Sequence, residues 1–257
     1  VKISIIEDNK KTSKIKIWTV FFWLIIWQGV SMVIDKEILL VSPISTIREL
    51  LKLVKELSFW HSIQFSFGKI SVGFLFAFFI GILLAIGSSQ YIHLEELLAP
   101  LMLTIKSIPV ASFIILCLIW LNAKSLSTFI SFLMVLPIIY TNTLEGILNM
   151  DKNLYEMVTV FKVSPLKRIR YVYLSQVMPY VIAASKVALG LCWKAGIAAE
   201  IIGVPKNSIG EHLYLAKLYL SMRELFAWTL VIIFISVVFE KLVLYLLKIA
   251  MYRLENR

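Results

Sequence analysis

Three histidines, His61, His93 and His212, stand far apart and form no H-x-x-H pair, so no metal-ligand spacing is present. Cys117 and Cys192 both lie in apolar stretches and read as buried free thiols. No G-x-x-x-x-G-K-[ST] run could cradle a nucleotide. The expectation is therefore no catalytic residue, no metal and no cofactor. What remains is charge set in apolar surroundings. At about 100° per residue, Lys186, Gly190, Trp193 and Glu200 share one side of a helix, with Lys194 about 40° further round. Lys106 precedes Pro109, a residue that breaks helices, by three positions. Charge at bilayer depth is disfavoured by about 2.5–3.5 kcal/mol. These seven residues are therefore candidates to line a pathway that attracts an anion. The competing expectation is that the lysines, with Lys69, snorkel to the surface or pair with Glu145, Glu200 or Glu240.

The elements that must hold these residues follow from composition. The chain has 257 residues, 60% hydrophobic and only 16% charged. Soluble domains run near 45–50% apolar and 25% charged. A soluble enzyme, a disordered chain and a secreted disulfide scaffold are excluded, and an integral membrane protein is indicated. The net charge of +10 comes from basic residues that flank or interrupt apolar runs. That is a topology signal, and nucleic acid is not implied.

Six apolar segments are long enough to cross a bilayer: 17–34, 63–89, 94–121, 126–147, 174–204 and 225–249. The first ends at Asp35 without a small-x-small cleavage signature and reads as a retained span. Ile44–Leu57 is amphipathic and too charged to span. The second segment carries Gly81 and Ala85 at small-xxx-small spacing, which lets helices approach closely. The third is interrupted by Pro100 and Pro109, a break that persists only where protein or water covers it. The fold class is all-α, with a tail at 1–16, a transmembrane domain at 17–250 containing a polar loop at 151–173, and a tail at 251–257. The side holding five N-terminal lysines, Lys152, Lys162, Lys167, Arg168 and Arg170 carries the excess of basic residues. Both termini and the loop are therefore expected in the cytoplasm.

Within that loop, Leu154, Val158 and Phe161 fall on one apolar face of a short helix. Asp151 and Glu156 place negative charge near its start. Ser164-Pro165 reads as an N-cap followed by proline at the first position of a second short helix, which bears Lys167, Arg168 and Arg170. A loop lying on lipid headgroups would account for the charge alone. Two short helices joined by a turn are more structure than a tether needs.

Glu156-Met157-Val158, Val163-Ser164-Pro165 and the run to Met178-Pro179 resemble the EAA loop of ABC importer permeases, roughly E-A-A-x-x-x-G. Val41-Ser42-Pro43, His61-Ser62 through Lys69 to Gly73-Phe74, Ile105 to Pro109, Ile119-Trp120, Pro137 through Asn142-Thr143 and Ala198 to Gly203 are similar to the branch of sulfonate, taurine, nitrate and vitamin-precursor permeases. The family's loop glycine falls on Lys162 here. Met157 and Val158 replace its two alanines, and Ser175 and Met178 stand where proline and leucine are common.

The resemblance implies a type I importer permease with six transmembrane helices and a cytoplasmic coupling-helix loop, in a bacterial cytoplasmic membrane. It implies an ABC ATPase dimer gripping the loops of two permease copies in a homodimer, and an extracytoplasmic solute-binding protein that delivers cargo. Leu154, Glu156, Val158, Phe161, Lys162, Ser164, Pro165, Lys167 and Arg168 would then form the ATPase contact. It also assigns Lys69, Lys106 and Lys186 to architecture, leaving Lys194, beside Trp193, as the better substrate-linked residue. Two other classes compete. An ion-coupled secondary transporter would want inverted repeats and paired intramembrane acids. A membrane enzyme would want a nucleophile–base or His/Asp/Glu cluster. Neither pattern is visible.

Overall fold

The computed structural model describes residues 16–161, 164, 168 and 172–255, and every regular element among them is helical. α1 (Ile17–Ile34) begins where the apolar run begins and stops at Asp35, which turns into the left-handed region. α2 (Pro43–Leu53) starts at Ser42, whose hydroxyl accepts from the Ser45 amide, with proline at the first helical position. It is the amphipathic segment expected above. α3 (Leu57–Gln90), α6 (Ala123–Leu148), α8 (Leu174–Gly203) and α10 (Met222–Glu255) are the long apolar helices. α4 (Ile92–Ser107) and α5 (Val110–Cys117) lie between α3 and α6. α7 (Lys152–Val160) and α9 (Ile209–Leu218) are short and connect the long helices at opposite ends of the molecule.

Among the described residues, four helices are long and apolar enough to cross a membrane: Leu57–Gln90, Ala123–Leu148, Leu174–Gly203 and Met222–Arg253. The third expected segment is interrupted at Pro109, where α4 and α5 meet at 104°, whereas Pro100 lies inside α4 and does not break it. Pro109 is the cause, because it pushes Ile108 into extended geometry (ψ 131°) and supplies no amide to carry α4 onward. The pair makes a fifth, broken crossing if counted as one span. α1 is about 27 Å long at 1.5 Å per residue, the lower limit for a crossing. Its large side chains, among them Trp18, Phe21 and Trp23, are exposed, as a lipid-facing helix requires.

The core is a layer of α3 and α6 with α8 packed on one face. Small residues set the distances. A side chain on Gly81 would meet Ile139 of α6 at 3.0 Å, and one on Gly196 would meet both Ile70 of α3 and Ser131 of α6 at 2.7 Å. Gly81 and Ala85 are both buried, as the spacing predicted. Polar bonds pin the register between helices. Thr128 donates to the Lys69 carbonyl (3.0 Å), Ser131 to the Cys192 carbonyl (3.3 Å) and Tyr140 to the Ser88 hydroxyl (3.0 Å). With no aqueous alternative inside a bilayer, such bonds favour one alignment over its neighbours. α10 joins through aromatic packing, with Phe239 against Phe67, Phe74 and Trp193 at 5.4–6.1 Å.

Candidate functional site

Three places carry the residues singled out above. The first is the exposed face of α8. Ala183, Lys186, Val187, Leu191 and Lys194 are exposed along it. A side chain added at Gly190 would meet nothing within 4 Å. Among the described residues, neither Lys186 nor Lys194 lies within ion-pair distance of a carboxylate, so the expected pairing with Glu145, Glu200 or Glu240 is absent. Cys192 donates to the Ile70 carbonyl, so Lys194 sits near the level where α3 changes from polar to apolar. Lys186 is eight residues further in, about 12 Å along the helix. Lys106 is exposed and donates to Thr141 (3.3 Å), beside the equally exposed Pro109 break.

Trp193 and Glu200 do not share that face. Trp193 is 1% exposed and Glu200 0%. The angular stripe drawn from sequence is thus two surfaces, because α8 is covered by α3, α9 and α10 towards its C-terminal end and open further back.

Glu200 belongs to a second place, which sequence reading missed. Its Oε2 accepts from the Ser66 hydroxyl of α3 (2.7 Å) and from the Gly210 amide in the first turn of α9 (3.2 Å). The Ile209 amide donates to Ser66 Oγ (3.0 Å). The carboxyl and the hydroxyl together satisfy amides that a helix start leaves without partners. Gly210 permits the approach, since a side chain there would collide with Glu200 and lie 2.7 Å from the Ile201 amide. Ser208 caps α9 through the Glu211 amide, and Glu211 reaches back to the Asn207 amide. Ser208-x-x-Glu211 is a capping-box spacing, and it was the available signal for this helix. His212 continues the contact. Its Nε2 is 3.0 Å from Ser62 Oγ, its Nδ1 is 3.9 Å from Glu224, and its ring stacks on Trp228 at 4.6 Å. Beside α9, Arg223 pairs with Glu37 of the α1–α2 loop and holds that carboxyl below its ordinary range.

The third place is the loop after α6. Asp151 caps α7 by accepting from the Asn153 amide (2.9 Å), and its own amide donates to Gln176 of α8 (2.8 Å), so α7 is anchored at its start. Leu154 is half-buried and Glu156 exposed. Val160 and Phe161 are 77% and 75% exposed, so apolar surface is displayed at the far end. Ser164 is exposed, Arg168 is half-buried, and the Arg168 amide donates to the Ser164 carbonyl (2.9 Å). The side chain of Val158 and the residues Lys162, Pro165 and Lys167 lie outside the described residues, as do residues 1–15 and 256–257 of the two tails.

Residues 77–255, from mid-α3 through α10, match the family model described as binding-protein-dependent transport system inner membrane component. The chain belongs to that family. It is 28% identical over 145 residues to the nitrate import permease protein NrtB of Leptolyngbya laminosa, covering 56% of this chain and 52% of the relative. The bicarbonate transport system permease protein CmpB of Synechococcus elongatus is similar to the same extent, 28% over 145 residues, 56% of this chain and 52% of that one. A Bacillus subtilis protein, SsuC, whose name assigns it provisionally to aliphatic sulfonates transport, is 22% identical over 205 residues, 79% of this chain and 74% of its own. The chain spans about half the length of the first two relatives. Family membership and the apolar helices make it a multi-pass membrane protein.

Proposed function

We propose that this chain is the permease subunit of an ATP-driven importer for small anions. Two copies enclose the pathway, a separate ATPase dimer drives it, and an extracytoplasmic binding protein delivers the cargo. The permease is non-catalytic. Both termini and α7 are cytoplasmic, and α2 and α9 lie on the outer side. The relatives' names cover nitrate, bicarbonate and sulfonates, which share negative charge and small size. Taurine and vitamin precursors fall within the same branch by sequence resemblance.

The observation that carries the reading is the exposed face of α8. That Lys186 and Lys194 have no carboxylate partner among the described residues, on a face left open at Gly190, supports a water-filled, anion-tolerant lining shared with a second copy. Lys106 and Pro109 at the α4–α5 break, with Gly190 between the two α8 lysines, complete the proposed lining. Trp193 and Glu200 support it from behind.

The exposed Val160–Phe161 end of α7 supports a protein contact there. Leu154, Val158 and Phe161 would seat in the ATPase, while Glu156, Lys162, Ser164, Pro165, Lys167 and Arg168 orient it. Glu156→Arg should abolish copurification of the ATPase and uptake together. Intact pull-down and transport in that variant would remove α7 as the coupling element.

A further inference from the structure

On the side of the α3–α6 layer away from α8 lies an open groove of about 700 Å³, within the size range of small-ligand sites. Its position follows from helix geometry. α8 rests on Ile70 and Ser131. Gly68 and Val72, which line the groove, are each two residues from Ile70 and so about 200° round the helix from it. The groove therefore faces away from the lysine-bearing side of α8.

The groove is polar at one end and apolar at the other. On α3 the residues through Lys69 include His61, Gln64 and Ser66, whereas none from Ile70 to Gln90 is charged. On α6 the change comes after Thr128. The bond from Thr128 to the Lys69 carbonyl puts both changeovers at one level. Gln64, Lys69 and Ser125 line the groove at that level, and Phe76, Ile80 and Phe132 line it further in. Lys69 Nζ stands 5.9 Å from the Phe65 ring centroid, over a groove wall, and has no carboxylate within ion-pair distance among the described residues. Gly68 keeps the wall flat, with nothing within 4 Å of where its side chain would be.

We infer that the α3–α6 groove is a binding site for one anionic phospholipid, with its phosphate at Lys69 and an acyl chain along Phe76, Ile80 and Phe132. A single cation at the border of an uncharged apolar trough is complementary to a headgroup joined to a chain, and the bilayer supplies that chemistry at this depth. The site does not depend on what the protein transports. The orientation proposed above would put Lys69, towards the α2 end of α3, at the outer leaflet, and only that placement rests on it.

The test is native mass spectrometry of the purified complex, equilibrated in nanodiscs of equal phosphatidylglycerol and phosphatidylcholine. The wild type should retain phospholipid enriched in phosphatidylglycerol. Lys69→Gln should cut that enrichment about fivefold, the effect of one cation at an anionic surface, with total retention unchanged. Gly68→Leu, which projects into open space, should lower total retention instead. A photo-cross-linking residue at position 72 should give an adduct of phospholipid mass. Retention and enrichment equal in the wild type and both variants would overturn the site. So would a permease–permease adduct from position 72, which would make the groove a subunit interface.

Discussion

Glu200→Ala should loosen α9 from the rest of the protein, and Glu200→Gln should do so far less. The alanine variant removes the acceptor for the Ser66 hydroxyl and the Gly210 amide, both in buried surroundings. Each orphaned donor costs about 1–3 kcal/mol, so the variant loses about 2–6 kcal/mol. The glutamine oxygen can accept both bonds, and the loss falls to about 0–2 kcal/mol, the range for a substituent at a helix N-terminus. At about 2–4 °C per kcal/mol for a chain of this size, alanine should lower the midpoint by roughly 4–24 °C and glutamine by less than about 8 °C. The assay is size-exclusion recovery of the detergent-purified complex after heating. Equal losses in the two variants would refute the acceptor role, because glutamine keeps both the bulk and an accepting oxygen, and the lost charge would then account for both. No loss in either would refute the junction altogether.

Further tests address other parts of the molecule. Gly196→Leu should separate α8 from Ile70 and Ser131 and cost about 1–3 kcal/mol or more, read as reduced heat recovery. Lys194→Ala in an intact complex should raise the half-saturating anion concentration, and unchanged affinity and rate would remove Lys194 from the pathway. Because Arg223 lowers the Glu37 carboxyl, the pair stabilises above the ordinary glutamate pKa and fades as pH falls through the lower folded value. The heat-recovery gap between wild type and Glu37→Gln should thus be open at neutral pH and shrink below about pH 4. It should be small throughout, because the pair is exposed to solvent.

Much of the fold was legible because lipid imposes simple rules. A run of some twenty apolar residues must satisfy its backbone internally. α1, α6 and α8 accordingly start and stop within a few residues of their apolar runs, and Ser42-Pro43 marked the start of α2. Asp35, Ser42 and the Gly81–Ala85 spacing are local signals, read from neighbours a few positions away. The sign and distribution of charge likewise needed only counting.

What the sequence by itself determined is therefore the all-helical membrane class, the positions of the long helices and the presence of unusual lysines among apolar residues. Only tertiary structure decided the 104° turn at Pro109, because a proline permits many bend angles and packing selects one. It also decided that Lys186 and Lys194 face outward while Trp193 and Glu200 face inward. A helical wheel gives angles but not which neighbours cover which arc. The Ser66–Glu200–Gly210 junction joins residues 134 and 10 positions apart. No periodicity encodes such a contact, since it exists only once three helices have docked.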